Sequence, residues 1–312
     1  HRAVAVHGLR DGRPFRALAR REVIVSAGAV HSPLLLQASG VGPAEWLQPL
    51  GIPVVLHQPA VGRHLQDHLC IDHLYRARVP TLNQELGSWS GRLRAAWSYL
   101  SRRRGPLALS VNQAGGFVRR GPQSTRPDLQ LYFSPLSYTR ASPGVRALMK
   151  PDPFPGFLLS AQPCRPLSRG QLRLSAADPT APARIEPGSL SNPEDLEALV
   201  DGALWLRRLA AAPALAAVID QELLPGPATA SREELAEDIR QRASTVFHPV
   251  STCRMGTDPA QSVVDTRLRV HGLSGLRVVD ASIFPTVTSG NTNAPTMMVA
   301  ERGAEFLLAD AR

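Results

Sequence analysis

Apolar residues change their spacing along the chain, and each change marks a different element. The opening residues alternate through Ala3 to Val6, turn at Asp11 and Gly12, and run into a second short strand, which predicts a surface hairpin. The stretch REVIVSAGAVHSPLLLQASGVG then stays apolar up to Gly28 and continues with helical spacing. An unbroken apolar strand belongs in a parallel sheet covered on both faces. This strand, turn and helix therefore point to a doubly wound α/β domain. Within it Ser32 is placed to cap the helix, Pro33 to open it and Gly40 to close it.

From about residue 73 to 244 the pattern turns to short alternating strands, such as DLQLYFS and GQLRLSA, among many prolines and arginines. Two helices are signalled there. One starts at Asn192, with Pro193, Glu194 and Asp195 in its first turn, and the other at Ser231, where Ser231 and Glu234 form a capping box. Antiparallel strands backed by helices suit a cap over a pocket. The last seventy residues return to α/β character: GLRVVDASIFP predicts a buried strand ending at Asp280. NTNAPTMMVAERGAEFLL predicts a helix capped by Asn293 with Pro295 in its first turn. The first domain is thus resumed after an insertion, giving segments 1–72, 73–244 and 245–312. Ligands of such sheets sit beyond the carboxyl ends of the strands and against helix N-termini, where Asp280 and Asn291 fall.

Composition narrows the function classes. With 312 residues, 43% hydrophobic and 20% charged, the chain reads as globular and long enough for two domains. A net charge of +9 would suit an anionic partner, yet Lys150 is the sole lysine among 35 basic residues, and the arginines are scattered apart from a triplet at Arg102 to Arg104. No recognition helix, aromatic ladder or basic tail accompanies them, so nucleic acid is not an expected partner. Cys70, Cys164 and Cys253 are widely spaced without a CxxC pair, which argues for a reducing, cytoplasmic setting rather than a disulfide framework. The longest apolar run, LAAAPALAAVI, is broken by Pro213 and falls short of the roughly 18 residues a membrane helix needs.

Several chemistries can be weighed at FHPVSTCRMG, residues 247–256. The cluster HLQDHLCIDH gathers His64, His68, Cys70, Asp72 and His73, but it has neither a glutamate in HExxH spacing nor a second ligand cluster, so no metal site is expected. No GxSxG elbow exists for a serine nucleophile. Cys253 stands five residues from His248, whereas a catalytic cysteine meets its histidine from a distant segment. No GxGxxG occurs either: Gly40 and Gly42 are followed by Glu45 in the third place. On these grounds alone His248 stays open between a proton acceptor and a hydrogen-bonded structural histidine.

Read together, the segments resemble the glucose-methanol-choline (GMC) family of flavin oxidoreductases, with choline and alcohol dehydrogenase-like members nearest in texture. GAVHSPLLLQASGVGP resembles that family's second signature, followed by GIPVV and VGRHLQDH. RPDLQLYFSP, RPLSRGQLRLSAADPTAPARIEP and LSNPEDLEALVDG resemble its substrate-domain landmarks, and FHPVSTCRMG, GLRVVDASIFP and SGNTNAPTMMVAER complete the order. The resemblance implies a parallel-sheet FAD-binding domain and a second, α+β substrate domain of antiparallel sheet backed by helices. It also implies that the chain is the larger C-terminal part of such an enzyme, the FAD-binding domain being incomplete without the GxGxxG unit with which complete members begin.

The resemblance further implies oxidation of an alcohol CH–OH group to a carbonyl, with FAD as cofactor, hydride passing to flavin N5, and an electron acceptor the sequence does not name. His248 occupies the catalytic histidine position and Asn291 that of its histidine or asparagine partner. Ala27, Gly28, Asp280, Ala281, Asn291, Thr292 and Asn293 fall where the family's backbone approaches the cofactor. The chemistry suits the residue types, because an alcohol yields hydride only as its hydroxyl gives up a proton, and an imidazole titrating near neutrality can take it. A non-redox flavin-binding lyase of the same fold, or a truncated inactive remnant, are the alternatives. Two positions depart from the family pattern: Ser251 stands where glycine is usual, and His64 where asparagine is usual.

Overall fold

The computed structural model describes residues 1–139 and 150–310. They form two compact units, one of residues 1–68, 165–192 and 246–312, the other of residues 69–164 and 193–245. This division differs from a continuous 73–244 insertion, because residues 165–192, including the strand Gly170–Arg173, cluster with the first unit. The strand Gly170–Arg173 pairs antiparallel with Arg63–Leu65 of that unit, and buried Gln37 adds to the contact, donating from Nε2 to the Leu172 carbonyl at 3.2 Å and accepting at Oε1 from the Leu174 amide at 2.9 Å. Gly62 packs in the same place with φ +80°, and a Cβ there would lie 2.3 Å from the Leu172 oxygen.

In the first unit the expected hairpin is present, Ala5–Arg10 pairing antiparallel with Arg13–Leu18 about Asp11 and Gly12. The strands Val23–Val25 and Leu276–Val278 pair in parallel, as their apolar character required, although Ile24 remains exposed. The core beside them holds Leu36, Val61, Val250, Val264, Val278 and Ile283. The helix Asn293–Asp310 lies against it through Gly303, where an added Cβ would meet Val279 at 2.7 Å. Asn293 is the first residue of this helix rather than its cap.

The helix Gly28–Ala38 starts earlier than expected, so Ser32 and Pro33 lie inside it and neither caps nor opens it. Proline has no N–H for the carbonyl four residues back. That carbonyl, of Ala29, accepts instead from the Thr252 hydroxyl at 2.6 Å. Gly40 does close the helix, at φ +78° with its N–H on the Gln37 carbonyl.

The second unit is built on an antiparallel sheet in the order Ile219–Leu224, Leu69–Ala77, Gly156–Pro163, Leu129–Ser134 and Ala114–Val118, with Ser244–Thr245 also pairing to Leu69–Ala77. The helix Pro193–Ala210 covers it, Gly202 lying against Ala161, and Arg232–Arg242 packs beside that helix. The Ser231 and Glu234 capping box forms as expected. A further helix, Trp89–Arg102, adds to the two expected there.

Candidate active site

The turn after the parallel pair is organised by Asp280. Its carboxylate is buried and accepts from the Gly28 amide at 2.9 Å, the Ser32 hydroxyl at 2.5 Å and the Ser282 amide at 2.8 Å. The Ser32 oxygen in turn accepts from the Ala27 amide at 3.0 Å. The amides of Ala27 and Gly28 are therefore satisfied within the protein. Gly28 is left with φ +81° and open space where a Cβ would stand. Ala27, Gly28, Asp280 and Ala281 are thus brought together at the carboxyl ends of the two strands.

Residues 251–255 run beside this turn as an irregular ladder: Ser251 donates to the Ala281 carbonyl at 3.4 Å, Cys253 to Ser282 at 2.9 Å and Met255 to Ile283 at 2.7 Å. Cys253 is fully buried, and burial, with the Asp280 charge adding to it, raises its thiol pKa far above the ordinary range. Burial of this kind holds the thiol protonated and makes it a poor nucleophile.

Just upstream, His248 and Asn291 meet. The Asn291 amide nitrogen lies 3.1 Å from His248 Nε2, and His248 Nδ1 lies 3.0 Å from Nδ1 of His68. The two imidazoles are edge to face, at 85° and 5.2 Å between centroids. With Asn291 donating to Nε2, the neutral ring carries its proton on Nδ1 and offers its lone pair on the Asn291 side. Asn291 is exposed whereas His248 is only 8% exposed, so the basic nitrogen of a buried ring points toward the accessible partner. Burial holds the His248 pKa below its ordinary value, while the Asp67 carboxylate pulls the other way.

The residues that hold this pair are 66–68, a stretch whose role sequence reasoning missed. Gln66 exchanges backbone hydrogen bonds with Val250, accepts the Val287 amide at Oε1 (3.0 Å) and donates from Nε2 to the Pro166 carbonyl (2.7 Å). Asp67 accepts the His248 amide at 2.9 Å. One buried glutamine, through its side chain and its backbone, thus fastens the segment before Asn291 to the segment after His248. The signal was the VGRHLQDH motif itself, which had been read only as a landmark. The histidines of the HLQDHLCIDH cluster do not converge: His68 joins His248, whereas His73 is buried in the second unit's sheet, where burial and then Arg207 and Arg242 lower its pKa to about 3. Thr292 and Asn293 follow Asn291 into the helix start, where Thr296 bonds back to the Thr292 carbonyl through both its amide and its hydroxyl.

Fold and site together define a mixed α/β protein of oxidoreductase architecture: over 97% of its length the chain overlays pyridoxine 4-oxidase from Mesorbium loti, with a TM-score of 0.81 and 28% identity, covering 54% of that chain. The family models described as GMC oxidoreductase match residues 1–70 and 166–300, and the chain belongs to the GMC oxidoreductase family. It is 43% identical, over 92% of its length and 51% of the relative's, to the alcohol dehydrogenase [acceptor] of Pseudomonas putida. It is 40% identical, over 97% and 53%, to the oxygen-dependent choline dehydrogenase of Chromohalobacter salexigens. The chain spans about half the length of the curated relatives it matches.

Proposed function

We propose that the protein acts in the FAD-dependent oxidation of an alcohol CH–OH group to a carbonyl, with His248 as the acceptor of the hydroxyl proton. The observation that carries this reading is the disposition of His248, a buried neutral imidazole whose unprotonated Nε2 faces an accessible carboxamide 3.1 Å away. An alcohol oxygen entering between them would take the Asn291 N–H and give its own proton to Nε2. General-base assistance of this kind accelerates a reaction by about 100- to 10,000-fold. Asn291 holds the oxygen in line, which lowers the entropy lost on reaching the reactive geometry.

The residues present fit the cofactor. Gly28 leaves open space at the carboxyl end of the parallel pair, which lets a flat ring approach the backbone. The helix Asn293–Asp310 carries no acidic residue in its first turn, so its positive end is available to a ring that gains negative charge. Ala27, Gly28, Asp280, Ala281, Asn291, Thr292 and Asn293 would hold it, Ala27 and Gly28 by close approach, since their amides are engaged elsewhere. When bound, FAD supplies the two-electron acceptor. On this reading the first unit is the FAD-binding domain and the second the substrate domain. The three cysteines are buried thiols outside any disulfide, which suits work in the cytoplasm.

The test is anaerobic reduction of the purified full-length flavoprotein by a series of primary alcohols, followed at the flavin absorbance. Bleaching by an alcohol, slowed at least a hundredfold in His248→Ala with flavin content unchanged, is the expected result. A protein that stays yellow with every alcohol yet cleaves a cyanohydrin would favour a non-redox lyase, and equal bleaching in His248→Ala would remove the base assignment.

A further inference from the structure

The helix Trp89–Arg102 is turned the opposite way from an ordinary surface helix, which hides its apolar stripe. Its sequence, WSGRLRAAWSYLSR, sets Trp89, Leu93, Trp97 and Leu100 along one face. That face looks outward: these side chains are 75%, 54%, 73% and 69% exposed, while the buried positions of the helix are Gly91 and Ala95. Gly91 lies so close to the preceding turn that a Cβ would stand 1.8 Å from the Glu85 carbonyl oxygen. The small side is thus committed inward and the tryptophans outward. Leu107 and Leu109, just beyond the helix, are exposed as well. Single exposed leucines are ordinary, but a contiguous patch with two tryptophans marks an interaction surface.

Charge identifies the partner. Between Glu85 and Asp128 the chain has no acidic residue and eight arginines, of which Arg92, Arg94, Arg102, Arg103 and Arg104 belong to this helix and its C-terminal turn. Among the described residues none of these five forms an ion pair. At about 3.6 residues per turn Arg92 and Arg94 border the apolar stripe on its two sides. We infer that this helix is a docking surface for an anionic phospholipid bilayer, its tryptophans and leucines entering the headgroup boundary and its guanidiniums meeting lipid phosphates. A second copy seated on the same face would bring two arginine sets together without a counter-charge. Among the described residues no helix is long and apolar enough to cross a membrane, so the contact is one of lying on the surface.

The test mixes the full-length protein with extruded vesicles of phosphatidylcholine alone, or of phosphatidylcholine with phosphatidylglycerol, and separates bound protein by centrifugation. Binding to the anionic vesicles, with a blue shift of tryptophan emission, is expected. Trp97→Glu should lower the partition coefficient by about tenfold or more. Arg94→Gln with Arg104→Gln should lower it by about thirtyfold. Melting temperatures should be unchanged, since these side chains are exposed. No binding to anionic vesicles, or binding that Trp97→Glu leaves intact, overturns the inference. A wild-type dimer that Trp97→Glu converts to monomer, without vesicle binding, overturns it too and assigns the stripe to a second copy.

Discussion

Nδ1 of His68 and Nδ1 of His248 lie 3.0 Å apart, so one ring donates there and the other accepts. Because Asn291 donates to the far nitrogen of His248, the shared proton belongs to His248, and His68 is the acceptor that fixes its tautomer. His68 does this with the lone pair of its own Nδ1, 3.0 Å away.

The pH dependence follows in sign. Burial depresses the His248 pKa below its ordinary value, so on the proposed reading the neutral imidazole that takes the proton is present at and above neutrality and is lost as pH falls through the depressed value. For the proposed alcohol oxidation, kcat/KM of the full-length protein should be level from pH 7 to 8 and fall on an acid limb below 6.5. His68→Leu leaves the Nδ1 proton without its acceptor, a loss of about 1–3 kcal/mol, or roughly 5- to 160-fold in kcat/KM. His68→Asn, which retains an acceptor near the position of Nδ1, should restore most of it. Nitrogen-15 spectra of the His248 ring give an independent readout, with the Nδ1–H tautomer expected in the wild type and lost in the leucine variant.

Features fixed by neighbours in sequence were legible before the fold was known. The hairpin about Asp11 and Gly12, the closure at Gly40 and the box of Ser231 and Glu234 depend on backbone groups a few residues away. Ser32 shows where local reasoning fails, because its hydroxyl serves Asp280, 248 residues along the chain, and no periodicity reports that distance. The membership of residues 165–192 likewise rests on distant partners, the pairing of Gly170–Arg173 with Arg63–Leu65 and the carboxamide of Gln37. The helix Trp89–Arg102 was legible in the sequence, with Ser88 as its cap and Trp89, Leu93, Trp97 and Leu100 at helical spacing; what the sequence could not show is that the apolar face points out. At the site, His248 and Asn291 were reached through family likeness, since 43 residues separate them and neither carries a local signal. The clamp of Gln66, Asp67 and His68 needed coordinates.

Thr252 and Pro33 are coupled through the Ala29 carbonyl, which proline leaves free and the threonine hydroxyl takes. Thr252→Val removes the donor while keeping the shape, and the buried carbonyl then costs about 1–3 kcal/mol in urea unfolding. Thr252→Ser should cost much less. In a Pro33→Ala background the helix supplies its own N–H to Ala29, so the same Thr252→Val change should cost less than half as much. A double-mutant cycle showing full additivity would mean that the two residues act apart.

Ser251 and His64 stand at φ +74° and +63°, in the left-handed region where side chains are strained. These are the two positions at which the sequence departs from the family pattern, and the usual glycine and asparagine are the residues that tolerate such backbone best. Ser251 carries a second cost, since its hydroxyl is buried and has no hydrogen-bond partner among the described residues. Ser251→Gly should therefore raise stability by about 1 kcal/mol, the relief of strain and of the unpaired hydroxyl outweighing the added freedom of the unfolded chain. Ser251→Ala separates the contributions, because it removes the hydroxyl and keeps the Cβ, and should recover only part of the gain. His64→Asn should add a few tenths of a kcal/mol. Urea midpoints at pH 7.5 measure all three, and a Ser251→Gly variant less stable than the wild type would show that the serine is held by an interaction worth more than the strain it bears.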